Sequence, residues 1–417
     1  MQAFTERQGE LFAEEVSVTS LAETYGTPLY VYSRGHLLSQ YQALATAMAP
    51  VSPTICFAVK SNTCGALIST LANAGAGADV VSGGELLRAR RAGVPSNRIV
   101  FAGVGKTVAE IQTALQEGIR FFTVESESEL RRISECATRA GRMGRIALRV
   151  NPDVDPKTHK YTSTGKKENK FGIDLERLEN VLDLAASLPS LEIAGLHMHL
   201  GSPIADVKPY AEALDKVTPL CRRLAARFPT FQTLDLGGGL GIPYRPDDRE
   251  FDLNLFAETL IPRLKKLGLR VVLEPGRFLT GNAGILVARV QYVKENSEKK
   301  FIIVDAGMND LLRPPLYQAW HTIRSVRTVS GTVFGDLVGP VCESSDFLAT
   351  NRELPAVVQG DLIAVMSAGA YGFSMASTYN SRGRPAEILV DGARSAIVRA
   401  RETFEDLVRG EQTPDWV

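Results

Sequence analysis

A lysine lies at the end of a short apolar run, where its amine could take part in chemistry. The run, TICFAVK, covers residues 54–60, and Lys60 is followed by Ser61 and Asn62. A strand-end lysine often packs only its aliphatic stem and keeps its ammonium in water. A desolvated lysine amine with a lowered pKa can instead form a Schiff base with a carbonyl compound. The residues alone leave both interpretations of Lys60 open.

Two histidines, His197 and His199, stand two positions apart in the segment HMHLGS. Residues two apart on a strand face the same side, so both side chains could line one interior. The spacing is compatible with a metal, but zinc needs at least three protein ligands. The other histidines and the cysteines show no matching motif, so we predict no metal site. Packing in the core is the default interpretation for each histidine by itself.

Two glycine-containing turns follow later apolar runs. The first is DLGGGLG at 235–241, and the second is EPGR at 274–277. Glycine-rich turns let backbone N–H groups approach a phosphate closely. The two turns therefore predict a phosphorylated ligand near Lys60, with the carboxylate of Glu274 beside it.

A regular alternation of short apolar runs and amphipathic stretches positions these residues. Such alternation indicates parallel βα units, and eight units in about 230 residues fit a (β/α)8 barrel with its chemistry at the C-terminal strand ends. An open doubly wound sheet is the alternative, but there is no Rossmann glycine fingerprint. The strand candidates are 54–60, 77–82, 98–103, 120–126, 145–151, 191–200, 231–237 and 269–276.

After Gly281 the pattern changes to strands separated by turn residues, which indicates a mostly antiparallel β domain. The candidates are AGILVARVQYVKE, KFIIVDAG, RTVSGTVFGDLVG, GDLIAVMSAGAYG and AEILVDG. The first 35 residues contain a helical stretch, SVTSLAETYG, and an extended stretch, TPLYVYS. The periodicity of these stretches does not show whether they belong to the barrel or to the β domain.

Composition excludes several classes of partner. The chain has 417 residues with 47 basic and 47 acidic side chains, and zero formal charge argues against nucleic acid or an anionic membrane. No apolar run approaches the ~20 residues of a membrane span, and the charged N-terminus is unlike a signal peptide. Five cysteines without a C-x-x-C pair are typical of reduced thiols, so we expect a cytoplasmic protein.

Eight ordered motifs resemble those of diaminopimelate decarboxylases, which are pyridoxal 5′-phosphate enzymes of the alanine-racemase-like fold class. They are FAVKSN, VSGGEL, HMHLGS, DLGGGLG, EPGR, VDAGMNDLLRPPLY, GPVCESSDFL and SAGAYGF. The resemblance implies an α/β plus β fold, with a (β/α)8 barrel at 36–282 and a mostly antiparallel β-sandwich-like domain built from 1–35 and 283–417. It also implies decarboxylation of meso-2,6-diaminopimelate at its D-centre, which gives L-lysine and CO2.

The resemblance implies a cofactor site as well. Lys60 would hold the cofactor through a Schiff base, and His199 would stack on its ring. Glu274 would meet the ring nitrogen, where an ionised carboxylate favours the pyridinium form. Alanine racemases place an arginine there, so Glu274 favours decarboxylation over racemisation. The residues implied for the phosphate are Ser202, Gly237, Gly238, Gly239, Gly276 and Tyr371.

Diaminopimelate has two amino-acid ends, and the enzyme must also bind the end that does not react. The resemblance implies that Arg277 and Arg313 bind the distal carboxylate, which a guanidinium can do bidentately. Glu343 would meet the distal ammonium, and the other substrate contacts implied are Tyr317 and Tyr371. Cys342 is implied as the acid that reprotonates the carbanion. In the family this segment enters the other subunit's active site, which implies an obligate homodimer.

Some interpretations stay open on the sequence. Pro203 stands where many family members have glutamine, and Ser61 stands where alanine is common. The segment 152–172 is either a mobile loop at the barrel mouth or a solvated basic loop. A decarboxylase of ornithine, arginine or a carboxylated polyamine is the first competing function. A homologue without turnover is the second, and a cofactor-carrier barrel is disfavoured by the C-terminal β domain.

Overall fold

The computed structural model describes residues 3–155 and 170–417. The chain divides into a barrel unit and a β unit. The barrel unit is Leu38–Pro243 and Arg249–Leu279, and the β unit is Met1–Leu37, Tyr244–Asp248 and Thr280–Val417. Tyr244–Asp248 thus belongs to the β unit, whereas the sequence places it in the barrel. Most of the predicted barrel-mouth loop lies outside the described residues, so both of its interpretations stay open.

The N-terminal segment contributes strands and one helix to the β unit. The helix begins after Ser17, whose hydroxyl accepts a hydrogen bond from the Ser20 N–H and so caps the first turn. The following strand is wholly buried, which fits its apolar sequence LYVYS. The elements are Phe4–Arg7 (β1), Glu10–Ala13 (β2), Val16–Ser17 (β3), Val18–Tyr25 (α1) and Leu29–Ser33 (β4).

Eight parallel strands of the described chain close into a barrel, as the alternation predicts. Each strand pairs with the next, and β12 closes the ring against β5. The strands are Thr54–Ala58 (β5), Gly77–Val80 (β6), Ile99–Phe101 (β7), Phe121–Val124 (β8), Gly144–Arg149 (β9), Leu191–His197 (β10), Thr233–Asp235 (β11) and Arg270–Leu273 (β12). The helices are Arg34–Ala47 (α2), Gly65–Asn73 (α3), Gly83–Arg91 (α4), Val108–Glu117 (α5), Glu127–Ala140 (α6), Leu178–Ser187 (α7), Lys208–Arg227 (α8), Leu253–Leu267 (α9) and Arg277–Thr280 (α10).

The barrel strands are shorter than the predicted runs at their C-terminal ends. The run 54–60 ends as a strand at Ala58, and Lys60 lies in a 3-10 turn, Val59–Ser61. The run 191–200 ends as a strand at His197, so His199 lies beyond it. These last residues leave the sheet because they form the turns of the barrel mouth, where such enzymes place their chemistry.

The β unit contains a nine-stranded, mostly antiparallel sheet, as predicted. Its strands are β4 with Gly284–Glu295 (β13), Lys300–Val304 (β14), Ile323–Ser325 (β15), Thr332–Val338 (β16), Phe347–Pro355 (β17), Leu362–Val365 (β18), Ala386–Asp391 (β19) and Arg394–Arg399 (β20). Two short helices are Arg313–Tyr317 (α11) and Phe404–Val408 (α12). β4 lies between β13 and β19, which ties the N-terminal segment into this sheet.

The sequence missed several strands that have little apolar alternation. β1, β2 and β3 form a separate small sheet, and β17 and β20 carry many polar or exposed residues. Four of the five cysteines are buried, and Cys342 is exposed. Among the described helices, none combines the length and apolar character that crossing a bilayer requires.

Candidate active site

Lys60 lies beside a buried carboxylate in the barrel unit. Its Nζ is 2.6 Å from Oδ2 of Asp79, which lies on the neighbouring strand β6 and is fully buried. Burial and the charge of Glu274 raise the pKa of Asp79, and the charge of Lys60 opposes them. The pairing positions the lysine amine at the C-terminal ends of the strands. The sequence signal for Asp79 was an acid inside the apolar run GADVV, which we did not single out.

Glu274 follows β12 and pairs with His197 at the end of β10. Glu274 Oε2 lies 3.2 Å from His197 Nε2, and both side chains are buried. Burial by itself would raise the pKa of Glu274. The charge and hydrogen bond of His197, together with the charge of Lys60, outweigh burial and lower that pKa to about 2. Glu274 is therefore ionised at neutral pH.

Asp235, at the end of β11, is a second buried acid beside Glu274. Burial and the charge of Glu274 raise the pKa of Asp235 well above its ordinary value. Its Oδ1 accepts the Gly237 N–H at 2.9 Å. Ligand atoms of His197, Asp235 and Glu274 lie within 4.8 Å of one another, close enough to hold a cation. That arrangement was not anticipated from the sequence, and the absence of a metal stays a prediction.

His199 is a half-buried, neutral ring above the first glycine turn. Its Nδ1 accepts the N–H of Gly238 at 3.2 Å. Burial and the charges of Arg149 and Lys60 lower the pKa of His199 well below its ordinary value. Its flat face is thus uncharged, which suits stacking on an aromatic ring.

The glycines of the DLGGGLG turn allow backbone segments to approach closely. A Cβ on Gly238 would lie 2.1 Å from the Glu274 carbonyl oxygen, and Gly237 has φ +67°. A Cβ on Gly239 would lie 2.3 Å from the Gly201 carbonyl oxygen. The N–H groups of Gly237 and Gly238 already donate to Asp235 and His199. These two glycines therefore shape the turn and orient the neighbouring side chains.

The second turn, EPGR, packs against the lysine turn. A Cβ on Gly276 would lie 2.9 Å from the Cβ of Ser61, whose hydroxyl donates to the Ala58 carbonyl at 2.8 Å. Ser61 therefore fills a tight space, as a small residue must. Arg277 is buried and its Nε donates to the Ser202 hydroxyl at 3.2 Å, which joins the two predicted ligand-binding segments.

Pro203 follows Ser202 through a cis peptide bond. The next residue, Ile204, donates its N–H to the Gly239 carbonyl at 2.8 Å. The loop that contains Pro203 is thus hydrogen-bonded to the DLGGGLG turn.

The remaining predicted residues lie in the β unit. Arg313 is buried at the start of α11, and Tyr317 is half-buried at the end of that helix. The Arg313 Nη1 lies 2.8 Å from His321 Nε2, and its guanidinium lies 4.6 Å from the ring centroid of Tyr244. Tyr371 is half-buried with φ +57°, a left-handed conformation that is uncommon outside glycine and asparagine.

Cys342 and Glu343 are exposed on the loop between β16 and β17. The Cys342 N–H donates to Asn380 Oδ1 at 2.8 Å, which fixes the backbone of the loop. Hydrogen bonds from Ser345 and Tyr379 lower the pKa of Glu343 below its ordinary value, so it is ionised at neutral pH. The loop thus presents a thiol and a negative charge.

The barrel-unit residues fit a pyridoxal phosphate cofactor. Four buried atoms near Lys60 have no hydrogen-bond partner in the described part of the chain: Asp79 Oδ1, His197 Nδ1, Asp235 Oδ2 and Glu274 Oε1. A buried carboxylate oxygen without a partner is costly. A protonated ring nitrogen at Glu274 Oε1 would supply the missing partner, and Lys60 is the nearby amine that an aldehyde requires.

Sequence reasoning missed Asp79, Asp235 and one more acid near the site, Glu85. The Glu85 Oε2 accepts the Val81 N–H at 2.8 Å. Burial and the charge of Asp79 raise the pKa of Glu85 to about 7. Its position in VSGGEL, directly after a strand end, could have identified Glu85 as a candidate. Acids with strongly shifted pKa values cluster at functional sites.

The known proteins that this chain resembles are pyridoxal-dependent decarboxylases. The profile of the family described as pyridoxal-dependent decarboxylase, pyridoxal binding domain, matches residues 34–281. The chain is 48% identical over 403 residues to diaminopimelate decarboxylase of Aquifex aeolicus, covering 96% of both chains. It is 48% identical to the same enzyme of Pseudomonas aeruginosa, covering 99% of both chains.

A solved structure of Helicobacter pylori diaminopimelate decarboxylase complexed with L-lysine superposes with a TM-score of 0.90 at 41% identity. The match covers 94% of this chain and 98% of that one. The profile covers more than half of the chain, and the relatives match almost its whole length. The chain therefore belongs to the diaminopimelate decarboxylase family of pyridoxal-dependent decarboxylases.

Proposed function

We propose that this chain uses pyridoxal 5′-phosphate to decarboxylate meso-2,6-diaminopimelate at its D-centre, which gives L-lysine and CO2. The observation that carries the reaction type is the ionised Glu274, with a buried unpartnered oxygen, in one site with Lys60. The substrate follows from the names of relatives that are nearly half identical over the whole chain.

The cofactor, when bound, provides an electron sink for the negative charge that remains after CO2 leaves. Lys60 would carry the cofactor on its amine. Asp79, whose Oδ2 lies 2.6 Å from that amine in the structure, would orient it. Glu274 would keep a proton on the ring nitrogen, because an adjacent carboxylate favours the charged form of a base. His199 would cover one ring face as a neutral, flat side chain.

The phosphate would lie against the backbone of Gly239 and Gly276, with hydroxyl groups from Ser202 and Tyr371. Gly237 and Gly238 would contribute by allowing close approach, since their N–H groups are used within the protein. Arg277 already contacts Ser202, so it lies where it could serve both the phosphate loop and the substrate. This arrangement would anchor the cofactor by its phosphate and fix the ring.

The distal end of the substrate carries a carboxylate and an ammonium. Arg277 and Arg313 would bind the carboxylate through charge-assisted hydrogen bonds, and Tyr317 and Tyr371 would add polar contacts. Glu343, which is ionised, would pair with the ammonium. Matched charges at this end would select diaminopimelate over amino acids without a distal carboxylate.

Cys342 would donate a proton to the substrate carbon after CO2 leaves. Cys342 and Glu343 are both exposed in the β unit of the single chain. We propose that the barrel domain, 36–282, binds the cofactor, and that 1–35 and 283–417 form the β domain of a homodimer. The exposed loop would then complete the active site of the partner subunit. We also propose a cytoplasmic location, where cysteine thiols stay reduced.

An assay of CO2 release with meso-diaminopimelate and added pyridoxal phosphate tests the proposed reaction. We expect one L-lysine for each CO2, and no turnover by folded Lys60→Ala protein. Faster turnover of ornithine or arginine would assign the chain to a related decarboxylase instead. Absence of CO2 release by cofactor-loaded protein from every one of these substrates would favour a homologue without turnover.

The position of the cofactor can be tested separately from activity. Borohydride treatment of the loaded protein should fix the cofactor on the peptide that contains Lys60. Labelling of a different lysine would contradict the assignment of Lys60.

A further inference from the structure

Arg313 is held between two aromatic side chains of the β unit. Its Nη1 lies 2.8 Å from Nε2 of His321, and its guanidinium carbon lies 4.6 Å from the centroid of the Tyr244 ring. The rings of His321 and Tyr244 meet edge to face at 5.3 Å. An arginine stacked on one ring and hydrogen-bonded to another has a fixed plane.

The partners of His321 define its protonation state. Its Nδ1 lies 2.8 Å from the carbonyl oxygen of Met366, which can only accept, so Nδ1 carries a proton. Its Nε2 faces a guanidinium N–H, which can only donate, so Nε2 must accept. His321 is therefore the neutral Nδ1–H tautomer, and it works as an acceptor for Arg313.

The sheet of the β unit fixes His321 in this place. It comes two residues before β15, which pairs with β18, and Met366 is the residue after β18. The Met366 N–H donates to the Thr322 carbonyl at 2.9 Å, which extends this pairing. Arg352 Nη2 donates to the His321 carbonyl at 2.5 Å. His321 itself is fully buried, so its ring has little freedom to turn.

Tyr244 is tied to the same frame although it lies far away in sequence. Its carbonyl accepts the Thr322 hydroxyl at 2.9 Å. This contact ties the start of the short segment 244–248 to the β unit. The two rings that hold Arg313 are thus connected to each other through one residue, Thr322.

We propose that His321, supported by Tyr244, is a specificity-determining positioning residue that orients the Arg313 guanidinium toward the distal carboxylate of the substrate. The inference rests on the proposed function, because it assumes that Arg313 binds that carboxylate. An arginine side chain loses considerable rotamer freedom when it is ordered. Because His321 orders the Arg313 side chain in the folded protein, this loss of conformational entropy does not weaken substrate binding.

Two substitutions separate this role from a purely structural one. His321→Asn can still donate to the Met366 carbonyl, because its amide reaches about as far as Nδ1, but it is too short to reach Arg313. His321→Gln places its amide oxygen near the former Nε2, where it can accept from Arg313, and loses the bond to Met366. A positioning role predicts that the asparagine variant raises KM for diaminopimelate by about 10- to 30-fold with kcat little changed. The glutamine variant should stay close to the wild type.

A purely structural role predicts a different order. Because the Met366 bond is then the important one, the glutamine variant would be at least as damaged as the asparagine variant, with lower thermal stability. That order, or an unchanged KM in folded His321→Asn, would overturn the proposal. Residual turnover of D-lysine, which keeps the D-centre but has no distal carboxylate, should be the same in both variants.

An Arg313→Leu background distinguishes failure of this inference from failure of the proposed function. If Arg313 binds the distal carboxylate, Arg313→Leu should impair diaminopimelate turnover far more than D-lysine turnover. Adding His321→Asn to that background should then change KM no further. Equal losses for both substrates in Arg313→Leu would refute the proposed role of Arg313 itself. A selective loss in Arg313→Leu combined with an additive effect of His321→Asn would refute only the role of His321.

The tautomer can also be measured without a substitution. Ring nitrogen-15 shifts of His321 in the intact, cofactor-loaded enzyme should show a protonated Nδ1 and an unprotonated Nε2. A proton on Nε2 would contradict the geometry on which the proposal stands, whether or not the variants fold.

Discussion

Replacement of Glu274 by glutamine keeps the size of the side chain and removes its negative charge. Burial alone would raise the pKa of this carboxyl, but His197 and Lys60 lower it from 4.5 to about 2. A shift of this size corresponds to roughly 3 kcal/mol of preference for the ionised form. A hydrogen bond to a charged group is worth about 1.5–3 kcal/mol. We therefore expect Glu274→Gln to lower kcat roughly 10- to 150-fold.

The assay measures CO2 release at saturating meso-diaminopimelate, with cofactor occupancy determined by absorbance for each preparation. Glu274 has a depressed pKa, so it stays ionised throughout the neutral pH range. The ratio of wild-type to variant kcat should therefore stay constant across the neutral pH range. Thermal unfolding of both proteins shows whether the variant is folded.

Asp235→Asn is the matched control, because it changes the neighbouring acid in the same buried cluster. Burial and the charge of Glu274 raise the pKa of Asp235, so its surroundings oppose a negative charge, whereas those of Glu274 favour one. Asparagine retains an oxygen that can accept the Gly237 N–H. We expect a much smaller loss of kcat than in Glu274→Gln. Similar losses in both variants, or full kcat in loaded Glu274→Gln protein, would refute the assigned charge states.

Three further outcomes follow from the structure. Mixing inactive Lys60→Ala and Cys342→Ala proteins should restore up to about a quarter of wild-type activity in the proposed homodimer; no recovery despite proven subunit exchange would place both residues in one chain's site. Gly238→Ala should lower the free energy of unfolding by roughly 1–3 kcal/mol or more, since its Cβ would lie 2.1 Å from the Glu274 carbonyl oxygen, whereas Gly65→Ala meets nothing within 4 Å and should not destabilise. Lys106→Met should cost roughly 3–5 kcal/mol in denaturant unfolding, because it leaves Glu129 buried without its cation; a loss below about 1 kcal/mol would mean that water or another donor replaces the lysine.

The sequence determined the barrel because its strands are continuous apolar runs separated by amphipathic helices. Residues such as Phe121–Val124 are buried on both faces, so their composition alone identifies them. The same reasoning failed for β17 and β20, whose exposed polar residues give no alternating pattern. Strand ends were also placed too late, as at Lys60 and His199, because turn residues at the barrel mouth continue the apolar composition of the strand.

Chemically unusual residues were visible in the sequence, but their partners were not. Lys60 and Glu274 could be named from strand ends and motifs, whereas their partners, Asp79 and His197, could not be assigned to them. Lys60 and Asp79 are 19 positions apart, and His197 and Glu274 are 77 apart. Pairing over such distances depends on the register of neighbouring strands, which local composition does not encode.

Charge states were decided only by tertiary structure. Asp235 and Glu274 are both carboxylic acids at strand ends, yet the pKa of Asp235 is raised and the pKa of Glu274 is lowered. The difference comes from His197, which approaches Glu274 at 3.2 Å. A side chain's type fixes its ordinary pKa, but its burial and the nearest charge decide its form in the folded protein.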